Sequence, residues 1–523
     1  MKTPFALGLA AAILLAGGAQ AQLPGVGLPP IGLPTFPSSP LPPPVRSQPP
    51  ASAPVVKLPK SSASPVSPQP LAGGAMATPG LQPIPTAMPG AIPGTLGAIS
   101  SGVGLDAVPV VGTDGATDLV LRAGSQLSKA TGAVSGAVED LASSAGSYRR
   151  QARDLLQRHG EAVEADDRGQ PVVRGEIAGL GIAQPALARA QAAGFKVRSR
   201  ETIAGLGLET VILAPPRGMA AVEAIRRLRA LDPAGRYDFN HIYFESGAVQ
   251  GGSAAPGDNA AASGRGLRIG LVDGTAQATA LARAQLVQRA FAPGGSRVTA
   301  HATAVASLLA GSGAGFRGAA PGATLYVADV YGTTAAGGSA LSVARALGWL
   351  AQQNAPVINI SLVGPPNALL AAGVATLVGK GYVVVAAVGN DGPAAPPLYP
   401  AAYPGVVAVT AVDARRRVLP EAGRGPYVGF AAPGADMAAA GLDGRLVGVR
   451  GASFAAPLAA GRLARLLPAP DPEGAQRAIA ALGREAVDLG APGRDPVYGR
   501  GLVAFDLAVR PTNLAARQPA EAR

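Results

Sequence analysis

The 523-residue chain is long enough for two to four domains of ~150 residues each. Apolar residues make up 48% and charged residues 15%, so a sizeable core is available. The absence of cysteine excludes disulfides, thiolate metal sites and a cysteine nucleophile. The net charge of +12 is spread over arginine blocks such as Arg149-Arg150 and Arg415-Arg416-Arg417 with no aromatic residues between them, so no nucleic-acid partner is expected.

Residues 1–21 read as a signal peptide: Lys2, an apolar run from Phe5 to Leu15, and a small-residue site ending in Ala21. Cleavage after Ala21 and export to the periplasm or the exterior are expected. No transmembrane segment is expected afterwards, because the nearest apolar stretch, Leu369 to Val388, is interrupted by Lys380 and several glycines. Residues 22–110 are dense in Pro, Gly and Ala, as in Pro42-Pro43-Pro44, and predict a disordered, extended arm without a core.

Residues 111–165 carry a helical pattern in which Val120, Leu127, Val134, Val138 and Leu141 recur at helical steps and Arg149 to His159 continues as a charged helix. Residues 170–246 predict a compact α+β unit in the order β-α-β-β-α-β. Its helices are Gln184 to Ala193 and Met219 to Leu231, and its last strand is Arg236 to Phe244. Residues 247–265 form a Gly/Ser/Ala/Asp-rich linker, where proteolytic processing is expected.

From 266 to 510 the texture changes, and 511–523 is a tail. Runs that are apolar at nearly every position are Leu267 to Val272, Leu325 to Val330, Val357 to Leu362, Tyr382 to Val388 and Val406 to Val412. They alternate with the helical stretches Ala302 to Ala310, Leu341 to Gln353 and Leu369 to Val378. Doubly covered strands alternating with helices predict an α/β domain with a mainly parallel sheet. Its ligand site lies outside the carboxyl ends of the strands.

Polar residues mark those ends. Asp273 follows the first strand, Asn390 closes the strand from Tyr382, and Ser453 stands where a helix begins after Gly451. Of three histidines, His159 falls in the charged helix and His241 in the α+β unit. Only His301 is in the α/β domain, opening a helix. Taken singly, each has a bland account: a turn aspartate, an Asx-turn asparagine, a surface histidine, an N-cap serine. Taken together they supply a nucleophile, a base, an acid to orient the base, and an amide for an oxyanion.

Along the chain these residues stand in the order Asp, His, Ser. The stretches Gly270-Leu271-Val272-Asp273-Gly274, His301-Ala302-Thr303-Ala304-Val305-Ala306, Ile358-Asn359-Ile360-Ser361-Leu362, Val385-Ala386-Ala387-Val388-Gly389-Asn390 and Gly451-Ala452-Ser453-Phe454-Ala455-Ala456-Pro457 together resemble the subtilisin-like serine proteases, the subtilases. Tyr498-Gly499-Arg500-Gly501 resembles that family's closing segment. The resemblance implies a subtilisin-like α/β fold preceded by a ferredoxin-like propeptide domain. It also implies an exported serine endopeptidase made as a precursor, with polypeptide substrates and its own propeptide as partners. It gives Asp273, His301 and Ser453 as the triad, Asn390 as oxyanion donor, and Ser361, Leu362, Val363 and Gly364 as the substrate-pairing strand. No cofactor or metal is expected, calcium being admitted by the resemblance alone. Gly274, Ala302, Ala304 and Ala452 depart from the residues usual in that family. Two other readings stand beside this one: a non-catalytic surface or cell-wall-binding protein on the same scaffold, and an esterase, against which the lack of a Gly-x-Ser-x-Gly elbow at Ser453 argues.

Overall fold

A computed structural model describes residues 147–249, 264–281, 284–313 and 316–508. The expected signal peptide, the Pro-rich arm, most of the helical segment before Ser147, most of the linker and the tail lie outside the described residues. Described elements begin with helix α1 (Ser147–Arg158), so the helix expected to reach His159 stops one residue short of it.

The unit that follows comprises β1 (Val163–Ala165), β2 (Pro171–Leu180), α2 (Gln184–Ala192), β3 (Lys196–Ile203), β4 (Leu208–Ala214), α3 (Ala221–Leu231) and β5 (Arg236–His241). The strands form an antiparallel sheet in the order β1-β2-β4-β3, with β5 on β2. Leu187, Ile225 and Leu228 from the two helices pack with Ile177, Val211, Leu213 and Phe239 from the sheet in a core of their own. Ala178, Leu180, Ile203 and Ile212 alternate with these along the strands and join the larger core of the next domain instead. That follows from the two-residue period of a strand, which sends alternate side chains to opposite faces. Arg345 pairs with Glu201 at the same boundary.

Two short strands come next, β6 (Phe244–Glu245) and β7 (Ala248–Val249). The α/β domain then runs through β8 (Arg268–Asp273), β9 (Gln285–Ala290), α4 (Ala300–Ala310), β10 (Ser312–Gly313), β11 (Phe316–Arg317), β12 (Thr324–Asp329), α5 (Ala340–Gln352), β13 (Val357–Ile360), β14 (Leu362–Val363), α6 (Ala368–Gly379), β15 (Val383–Ala387), β16 (Val407–Val412), β17 (Val428–Pro433), β18 (Met437–Ala440), β19 (Leu446–Arg450), α7 (Ala452–Leu466) and α8 (Pro472–Glu485). Seven strands form one parallel sheet in the order β17-β16-β15-β13-β8-β12-β9. Helices α4 and α7 pack together, as do α5 and α6, and the interior strands β13, β15 and β16 are buried along their whole length.

The chain enters at β8, builds β9 and β12 on one side, and then crosses back to build β13 to β17 on the other. The crevice at a reversal of this kind opens at the carboxyl ends of the strands, and Asp273 is the last residue of β8. Two strands of this sheet were not expected from the sequence. β9 is an edge strand whose exposure alternates, and β17 contains Gly429 and ends in Pro433, so neither shows a continuous apolar run.

Candidate active site

Two helices present their second residues at the carboxyl edge of the sheet, His301 at the end of β8 and Ser453 at the end of β13. Thr299 caps α4, its hydroxyl accepting from the Ala302 N–H at 3.0 Å, which fixes the helix start and presents His301 in its first turn. Gly451 precedes α7, whose first residue is Ala452. Ser453 is thus inside the helix and not at its cap as expected. Its hydroxyl makes no cap bond and is free to serve another partner.

His301 Nδ1 lies 2.9 Å and 3.1 Å from the two carboxylate oxygens of Asp273. Both side chains are buried, and the Gly274 N–H donates to the same carboxylate at 2.8 Å. A Cβ on residue 274 would come within 2.7 Å of the Thr299 methyl, which accounts physically for glycine at this position. Phe454 packs beside the imidazole, ring centroids 5.3 Å apart. Burial pulls His301 down, but the Asp273 carboxylate and the neighbouring Glu245 outweigh it and raise its pKa to about 9.

Pro457 sits inside α7. Lacking an N–H, it leaves the Ser453 carbonyl without its intrahelical donor. The Ser361 hydroxyl donates to that carbonyl at 2.9 Å, and the Asn359 amide donates to the Ser361 hydroxyl at 2.8 Å. In return the Ser453 hydroxyl donates to the Ser361 carbonyl at 3.1 Å. Reciprocal bonds therefore tie the serine to the end of β13, where Ser361 interrupts the expected strand Val357 to Leu362. The Ala452 N–H donates to Asn390 Oδ1 at 3.0 Å, which turns the amide nitrogen toward the cleft. Asn390 is therefore not the turn-former that Asp391-Gly392 suggests.

The cleft holds a segment of the chain itself. β6 pairs antiparallel with β14, Phe244 opposite Val363 and Glu245 opposite Leu362. β7 pairs with β19 on the far side. Tyr243 is fully buried at the head of the segment, its hydroxyl donating to the Pro365 carbonyl at 2.7 Å, and Gly364 is bonded in both directions to Tyr399. Between β6 and β7, Ser246 and Gly247 cross His301, Asn390 and Phe454. The Ser246 hydroxyl accepts from Asn390 Nδ2 at 2.8 Å, and its carbonyl faces His301 Nε2 at 3.4 Å. Gly247 has φ +128°, and a Cβ there would lie 2.7 Å from the Phe454 ring. The link from Ser453 to Nε2 is not made in this state. The imidazole meets the Ser246 carbonyl and the serine meets Ser361.

Helix α1 lies over this segment. Tyr148 packs edge-on against Phe244, Gln151 donates to the Glu245 carbonyl, and Asp391 accepts the Tyr148 N–H at 2.9 Å. Among the residues that sequence reasoning missed, Asp329 ends β12 in register with Asp273 and is fully buried. It accepts from Thr275, Arg297, Tyr331 and Gly332 and so fixes the loops around Asp273 and His301. The signal was present: Asp329 ends an apolar run just as Asp273 does. His159 lies beside Glu161, and buried His241 contacts Asp166 and Asn367, so neither belongs to the site.

Among the described residues, Glu245, Asp273 and His301 are the one group of ligand-type side chains close enough together to hold a metal. An imidazole and two carboxylates do not make the shell of six to eight oxygens that calcium takes, so the residues present do not fit that ion. No described helix is long and apolar enough to cross a membrane.

Residues 292–501 match the model described as the subtilase family, which takes in His301, Asn390 and Ser453 and leaves Asp273 ahead of it. Subtilisin Savinase of Lederbergia lenta is 33% identical over 214 residues, 40% of this chain and 77% of that protein. The minor extracellular protease Epr of Bacillus subtilis is 30% identical over 223 residues, 42% of this chain and only 34% of the relative's length. The alkaline protease of Shouchella clausii is 33% identical over 214 residues, 55% of its length. Among solved structures, fervidolysin from Fervidobacterium pennivorans aligns with a TM-score of 0.53 at 19% identity, covering 67% of this chain and 62% of that one, a likeness of fold.

Proposed function

The chain belongs to the subtilase family, and we propose that it is an exported serine endopeptidase made as a precursor whose 170–246 unit blocks its own cleft. The observation that carries this reading is the antiparallel pairing of Phe244-Glu245 with Leu362-Val363, which lays Ser246 and Gly247 across the catalytic groups as a substrate would lie. The name of one relative, an extracellular protease, agrees with export.

In this reading Asp273 holds the imidazole in the tautomer that leaves Nε2 free to accept. His301 takes the Ser453 proton as Ser453 Oγ attacks the carbonyl carbon of Ser246, and returns it to the Gly247 nitrogen as the peptide bond breaks, giving an acyl-enzyme and the free amine of Gly247. Water then releases the acyl group. Asn390 Nδ2 and the Ser453 N–H meet the oxyanion. The described state is the precursor at rest. Turning the Ser246 carbonyl from Nε2 toward Asn390 would free Nε2 for the Ser453 hydroxyl, which must first leave the Ser361 carbonyl. Ser361, Leu362, Val363 and Gly364 form the edge on which substrate pairs. One cut at 246–247 separates the inhibitory unit from the α/β domain.

Ser453→Ala is expected to abolish casein hydrolysis and to leave the precursor uncut, and the wild-type protein is expected to react with a fluorophosphonate probe. Normal processing in the variant would remove the basis of the proposal.

A further inference from the structure

Glu245 is the single charged side chain between Tyr243 and Val249, and it is placed against the catalytic pair. Its carboxylate, that of Asp273 and the His301 imidazole lie within 4.8 Å of one another. The register puts it opposite Leu362, one residue before Ser246. On the assumption that Ser246–Gly247 is the bond cut, as proposed above, Glu245 is the second residue before that bond. We propose that the cleft carries an acid-accepting subsite at this position, formed by Thr299, Arg297 and His301, and that the enzyme takes peptides with an acidic side chain followed by a small residue.

The surroundings supply the chemistry. The Thr299 hydroxyl already accepts from the Ala302 N–H, so its own hydrogen remains to donate toward Glu245. Burial, the largest influence, and the Asp273 carboxylate raise the Glu245 pKa, while the His301 imidazole first, and then the Thr299 hydroxyl and the Arg297 charge, favour the ionised carboxylate. The titratable and charged groups facing the trio are Asp273 from β8, His301 from α4, Arg297 from the loop before α4, and Tyr331 after β12, beside Asp329. With the imidazole neutral, two carboxylates face one guanidinium. With the imidazole protonated, the charges of Asp273, Glu245, Arg297 and His301 cancel. An acidic residue at this subsite therefore binds best to the protonated enzyme, and by reciprocity it holds the proton on His301. A protonated imidazole cannot take the serine proton, so such substrates are bound well at neutral pH and turned over as the pH rises. The same coupling delays the precursor's own cut, since Glu245 is the side chain in place.

The test uses the processed enzyme and the peptides Tyr-Phe-Xaa-Ser-p-nitroanilide, with Xaa Glu, Gln, Ala or Lys. The expected KM for the Glu peptide at pH 7 is about tenfold below that for Gln, the low end for one hydrogen-bonded charge. It rises with pH, while the acidic limb of kcat for the Glu peptide lies at higher pH than for Gln. Arg297→Gln narrows the Glu-to-Gln ratio. A Glu peptide no better than Gln at any pH, with coincident acidic limbs, overturns the proposal. A second measurement does not need turnover: in the Ser453→Ala precursor, the NMR titration of His301 moves to lower pH on Glu245→Gln. An unmoved titration overturns the proposal whether or not any peptide is cut. Failure of the protease reading itself shows separately, as absence of fluorophosphonate labelling.

Discussion

Replacing Gly247 by alanine tests the placement of the resident segment at a single atom. The backbone there has φ +128°, and the new Cβ would stand 2.7 Å from Phe454 Cε2 and 3.1 Å from the Arg450 carbonyl oxygen. A side chain held in so sparsely populated a conformation costs ~1–3 kcal/mol. Forcing a methyl group into a filled site costs another ~1–3 kcal/mol. Relief requires Phe454 to move, and Phe454 supports the imidazole, or the segment to lift from the cleft. Taking only ~2 kcal/mol, the lower sum, self-cleavage slows roughly 30-fold. The assay is a time course of precursor and product by gel, with the product's N-terminus sequenced. The mature variant differs from wild type only at its first residue, so its rate on small peptides is expected to match. Cleavage of the Gly247→Ala precursor at the wild-type rate, at the same bond, would refute the placement.

Asn390→Ala is expected to lower kcat by ~10²–10³-fold with little change in KM, read with a chromogenic peptide, because the lost donor serves the developing charge. Glu421 is buried and paired with Arg450 at 2.7 Å, three residues before the nucleophile. Glu421→Gln leaves that guanidinium unpaired at a cost of ~3–5 kcal/mol, or roughly 4–7 °C in Tm in the Ser453→Ala background, and an unchanged melting curve would show the pair to be dispensable. The imidazole's pKa of about 9, against 6.5 for a free histidine, makes the precursor's stability depend on pH. A raised value means that this stabilisation is complete below pH 6.5 and is lost as the pH rises through 9. The denaturant midpoint of the Ser453→Ala precursor should accordingly fall between those values, and a rise across the same interval would contradict the charge arrangement around His301.

What could be read from the residues alone followed how each was buried. Strands covered on both faces write an uninterrupted apolar run, so β8, β12, β13, β15 and β16 were legible, as were Asp273 at the end of β8 and Asn390 beyond the end of β15. The edge strand β9 and the Gly- and Pro-bearing β17 were not, because half exposure and irregular backbone erase that run. His301 could be picked out by scarcity. Asp329 escaped because a buried carboxylate that organises loops is written in the same letters as one that orients a base. The helix boundary at Ser453 was misplaced by two residues: the capping preference of serine pointed to it, while the helix is capped at Gly451 and starts at Ala452, whose N–H meets Asn390. The contents of the cleft lay beyond local pattern altogether, since β6 and β7 are too short to register as strands without the partners they pair with.

The attachment of helix α1 has a further consequence for how the whole polypeptide is partitioned. Its first turn is fastened to Asp391, the neighbour of Asn390, and its side chains grip the strand lying in the cleft. The residues of α1 are consequently moored beside Asn390 for as long as that strand stays seated. A single scission beyond Ser246 would leave those residues with no covalent tie to the sheet domain, so liberation of the leading half and unmasking of the trailing half become one event, governed by how fast a short β-ribbon lets go.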